Sequence, residues 1–66
     1  MTLATATLRK MMLDCLLATR AGTAAISVIM ERLTTPAAIA RFAECLLAAP
    51  RMSEDEMLAL SALAAA

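Results

Sequence analysis

The 66-residue chain has no histidine, tryptophan, tyrosine, asparagine or glutamine. Without histidine, neither cysteine has its customary base, so the usual Ser-His-Asp and Cys-His nucleophile arrangements are excluded. Two cysteines and scattered carboxylates fall short of the four ligands that a zinc site requires within one chain. The single glycine, Gly22, rules out a glycine-rich phosphate loop. With no Asn or Gln and one lysine, few side chains remain to read base edges. These absences lead us to expect no enzymatic activity, cofactor or metal.

Long apolar runs are missing too. The longest uncharged stretches, residues 21–30 and 57–66, are ten residues each, against the roughly 20 that a bilayer-spanning helix needs. Arg9 and Lys10 precede Met11 and Met12 as in a secretory leader, but Asp14 interrupts the apolar core such a leader requires. We therefore expect a cytoplasmic protein with no membrane span. In that compartment Cys15 and Cys45, each on an apolar helical face, are expected to be buried reduced thiols rather than a disulfide.

What is present is apolar and helix-forming. Apolar residues make up 62% of the chain and charged residues 18%, with seventeen Ala, eleven Leu and six Met against one Val, three Ile and the lone aromatic Phe42. β-Formers are too scarce for a sheet, so the composition predicts an all-α domain covering residues 1–66. A domain this small consists largely of surface, and its apolar surplus calls for cover by another chain. Six basic and six acidic residues cancel, with a mild positive excess before residue 34 and a negative one after it. That is no nucleic-acid footprint.

The strongest periodic signal lies in the first half. Leu8, Met12, Cys15, Thr19, Gly22, Ile26, Ile29 and Leu33 alternate at spacings of four and three, a heptad seam. Leu16, Met11 and Met30 flank it, while Arg9, Lys10, Asp14, Arg20, Glu31 and Arg32 lie opposite. Because a turn would normally reset the phase, the unbroken seam predicts one long helix over about residues 3–33, with Gly22 at a close helix crossing. The alternative is a break at Gly22 and four short helices, with Thr23 capping the second.

Later boundaries are sharper. Thr35 as N-cap and Pro36 at the first helical position open a helix over about 36–49, apolar around most of its circumference. Ser53 and Glu56 form a capping box, and Met52 with Met57 the hydrophobic staple, for a helix over about 54–64. Glu54, Asp55 and Glu56 suit the helix dipole there and need no catalytic role. The expected architecture is a long helix packed with two shorter ones, the bundle being completed by dimerisation through the seam.

Function by elimination is helix-helix contact: an adaptor, inhibitor or chaperone-like module that binds itself and another protein. Leu13, Leu17 and Val28 fall opposite the seam, where a solitary helix would be polar, and are candidates for a second contact surface. Two other readings remain. The turn at Thr34 to Pro36 joins two helices as in a helix-turn-helix, which allows a nucleic-acid-binding dimer or transcriptional regulator, although Arg41 and Glu44 are all that its second helix offers. A structural subunit of a larger assembly is the third.

Overall fold

Residues 2–66 are described by a computed structural model. Among them are four α-helices and no strand: α1 (Leu3–Leu17), α2 (Thr23–Arg32), α3 (Pro36–Ala48) and α4 (Glu54–Ala65). The all-α expectation and the last two helices therefore stand, whereas the long helix over residues 3–33 does not. It is divided at residues 18–22, as the four-helix alternative had it.

Local chemistry explains the division. At the end of α1 the Thr19 hydroxyl donates to the Leu16 carbonyl at 2.6 Å, and the Ala21 N–H donates back to that hydroxyl at 3.3 Å. Groups that would have continued the helix ladder are thereby satisfied within the turn. Gly22 is neither a crossing residue nor a left-handed cap. It is the N-cap of α2, with φ −72° and ψ 160°, extended backbone that any residue adopts. Its N–H donates to the Glu54 carboxylate at 2.8 Å, which anchors the start of α2 to the start of α4.

The other starts follow the sequence. Thr2 and Thr35 accept from the N–H groups of Thr5 and Ala38 through their hydroxyls, at 3.1 and 3.2 Å. In the α4 capping box both reciprocal bonds are 3.2 Å. Met52 and Met57, the staple pair, are both buried.

Tertiary contacts define the packing. α1 lies against α2 and α3, and α4 against α2 and α3, while the pairs α1–α4 and α2–α3 are diagonal and do not meet among the described residues. Arg9 of α1 reaches the end of α2, and Arg41, early in α3, reaches the end of α4. Each of these two pairs is antiparallel; the start of α2 meets the start of α4 through Gly22 and Glu54, and Arg32 at the end of α2 reaches Ser61, so α2 and α4 run the same way and α1 and α3 do too. The bundle measures 30 × 21 × 18 Å. Its centre is filled by Met12, Leu16, Ile26, Ile29, Leu33, Ile39, Phe42 and Met57, with Phe42, Leu16, Ile29 and Leu33 fully buried. One chain thus closes a core of its own.

The N-cap assignment for Gly22 has a measurable signature. An N-cap favours Ser over Ala because the hydroxyl accepts an orphan N–H, whereas a helix interior favours Ala over Ser. Either side chain would bring a Cβ to 3.3 Å from the flexible end of Glu54, a common cost. In urea titrations we expect Gly22→Ser to be more stable than Gly22→Ala by about 1 kcal/mol. The reverse order would restore the continuous helix.

Candidate protein-interaction surfaces

Arginines assigned by sequence to solvated faces turn out to be tied to backbone. The Arg9 guanidinium donates to the carbonyls of Met30, at 2.7 Å, and Leu33, at the C-terminal end of α2. Arg32 donates to the Leu58 carbonyl at 2.7 Å and to the buried Ser61 hydroxyl at 3.1 Å. Arg41 donates to the Ala64 carbonyl at 2.7 Å, near the end of α4. The carbonyls that Arg9 and Arg41 bind lie at helix ends, where they lack intrahelical donors and carry the negative end of the helix dipole, whereas Leu58, bound by Arg32, lies inside α4. The hydroxyl of Ser61 donates in turn to Leu58 at 2.7 Å, and no buried side-chain polar atom among the described residues lacks a partner.

This arrangement takes three of the six cations. Lys10, Arg20 and Arg51 have no hydrogen-bond partner among the described residues. Arg20 and Arg51 line a cleft of about 500 Å³ at one end of the bundle, together with Ala18, Thr19, Pro50, Met52 and Met57. Two arginines there and one lysine on α1 make no continuous basic stripe.

An apolar groove of about 440 Å³ lies between α1 and α2. Leu13, Leu17, Ile26 and Met30 supply its apolar lining, and Arg9, Thr23, Ser27 and Glu31 its polar positions. Leu17 is 64% exposed. Two members of the expected second contact surface, Leu13 and Leu17, thus come together. Val28, 37% exposed, does not line the groove.

The heptad seam divides with the helix that carried it. Met12, Ile26, Ile29 and Leu33 are buried in the chain's own core, Thr19 is half-buried in the turn, and Leu8, Cys15 and Gly22 are exposed. Both cysteines are free, Cys45 half-buried and Cys15 exposed, which corrects the expectation that Cys15 is buried. No group of metal-ligating side chains forms among the described residues, and none of their helices is long and apolar enough to cross a membrane. Comparison with known families, curated proteins and solved structures finds no match.

Sequence reasoning did not anticipate the arginine clamps, because helix phase gives a cation's side but not the carbonyl within its reach. It also missed exposed Met11 and Leu47, at 59% and 82%. Their spacing relative to Leu8, Cys15 and Ala43 was there to be read.

The clamp is testable at Arg9, where hydrogen bonds from a charged donor to two carbonyls are removed at once. Arg9→Ala should destabilise the fold by about 2 kcal/mol in urea titrations. A loss below about 0.5 kcal/mol would mean that the guanidinium contributes no more than an ordinary surface residue.

Proposed function

We propose that this chain is a small protein-interaction module that works through helix-helix contact and associates with itself. One observation carries the reading. Outside a filled core, Leu3, Met11, Leu17, Leu47 and Leu63 are each at least 59% exposed, with Leu8 and Val28 at 37%. Single exposed apolar side chains are common, but seven large ones among the described residues are many for a domain this small. Helix faces of this kind gain from burial against another helix at about 25 cal/mol per Å².

The nucleic-acid reading is weakened by the same geometry that supports this one. With Arg9, Arg32 and Arg41 held on backbone carbonyls, at most three cations are free to displace counterions from phosphate. We expect any retention on DNA or RNA to disappear near physiological salt. Salt-resistant, sequence-dependent binding in a filter or shift assay would reverse this ranking.

Self-association is measured directly by sedimentation equilibrium from low micromolar to millimolar concentration. The expected result is a reversible monomer-dimer equilibrium or a stable dimer. A folded monomer across the whole range would overturn the proposal.

A further inference from the structure

Two stripes outside the core share a spacing that the core does not need. On α1, Ala4, Leu8, Met11 and Cys15, continued by the cap residue Ala18, follow one another at four, three, four and three residues. On α3, Pro36, Ala40, Ala43 and Leu47 follow at four, three and four. This alternation keeps residues on one side of a helix and is the spacing with which helices pack on helices. Ala43 is half-buried and the rest are exposed. None of the nine is charged.

Neighbouring residues place both stripes on one side of the bundle. On α1, Arg9 and Leu13 turn toward α2, one bonding its last carbonyls and the other lining the groove. Thr5, Met12 and Leu16 point to the core, so the stripe lies on the remaining flank, beside α3. On α3, Arg41 turns toward α4, Ala38, Ile39 and Phe42 point to the core, and the stripe lies on the flank beside α1. The two parallel helices therefore present two adjoining uncharged stripes, bordered by Asp14 on α1 and Glu44 on α3.

We infer that this α1–α3 face is where a second copy of the chain docks, about a two-fold axis parallel to the helices. The inference rests on the self-association proposed above and assigns it to one surface. The absence of charge is the first argument. With α1 of one copy over α3 of the other, a charge in either stripe would be buried against an uncharged stripe, and the stripes carry none; Asp14 and Glu44 stand at their borders. The α1–α2 side, by contrast, has Arg9 and Glu31 within its groove.

Size complementarity is the second. The residues after α1 and after α3 line one cleft, so the two helices count back in step from a common end. With the caps Ala18 and Ala49 taken as level, Leu8, Met11 and Cys15 come within about one residue of the levels of Ala40, Ala43 and Leu47. A two-fold axis parallel to the helices lays α1 of one copy over α3 of the other and sets each large side chain against a small one. An axis across the helices would instead oppose Met11 to Met11 and Ala43 to Ala43, giving uneven separations. Area agrees. A face bounded by extents of 30 and about 20 Å can remove at most about 1,200 Å² from water in a pair, the lower end of the range for specific association.

The test places a charge at exposed positions, where folding does not depend on the side chain. Met11→Asp and Leu47→Asp should each keep the helical circular dichroism of the wild type and weaken dimerisation by about a hundredfold or more. Leu17→Asp in the α1–α2 groove and Leu63→Asp on α4 should leave dimerisation within a few-fold of wild type. In the unsubstituted protein, alkylation of Cys15, followed by mass spectrometry, should slow as the concentration rises through the dimerisation range. A wild-type dimer that survives both stripe substitutions, or that only Leu17→Asp dissociates, overturns the assignment of the face while leaving self-association intact. A wild type that is monomeric throughout overturns both.

Discussion

A bundle of helices only 10 to 15 residues long has an unfavourable ratio of helix ends to helix middles. Each end leaves up to four backbone groups without a partner in its own helix, so in short helices these groups rival the internal ladder in number. The structure answers with caps at the N-termini and guanidinium groups at carbonyl ends. Thr2, Thr35 and Ser53 cap within their own helices, whereas Glu54, Arg9 and Arg41 do so from one helix to another. The long-range contacts join neighbours in the bundle: α4 to α2, α1 to α2, α3 to α4. Polar satisfaction and tertiary arrangement are therefore the same set of bonds in this protein. Apolar burial draws the helices together, and the end groups specify which end meets which.

That division explains which parts of the fold can be read along the chain. The starts of α3 and α4 are local events, with donor and acceptor three residues apart, and Thr35-Pro36 and Ser53 to Glu56 announce them. The division at residues 18–22 is only partly local. Thr19 can turn its hydroxyl onto Leu16 in any helix, and what makes the break worthwhile is the burial of Met12 and Leu16 against Ile26, Ile29 and Leu33. A 31-residue helix could not bring those residues together within one chain. The heptad phase that survives across Gly22 misleads because two separate amphipathic helices facing one core show the same alternation. Phase reports the side of a helix that is covered, not whether the neighbour belongs to the same chain.

The candidate interaction surfaces were legible to a similar degree. Leu13 and Leu17 stand out as apolar residues among charges, and the structure brings them into one groove. Leu8 and Cys15 belong by spacing to two patterns at once, the inner one through Met12 and the outer one through Met11. With Met11 and Met12 adjacent, helical periodicity allows either as the centre of a stripe. Only the position of α2, fixed through Arg9, decides that Met12 faces inward and Met11 outward.

Charge placement ties these strands together. The chain has few charged residues, and several serve the fold: Arg9, Arg32, Arg41 and Glu54 bind backbone, while Glu56 completes a cap. The other seven remain for solubility and partner choice, and on α1 and α3 these are Lys10, Asp14 and Glu44, outside the two stripes. A surface without charge gains little long-range steering, so encounters there depend on concentration rather than on field, and specificity has to come from shape. Alternating large and small residues along two parallel helices provide such a shape. The same residues that leave this face unable to attract a charged ligand suit it to a copy of itself.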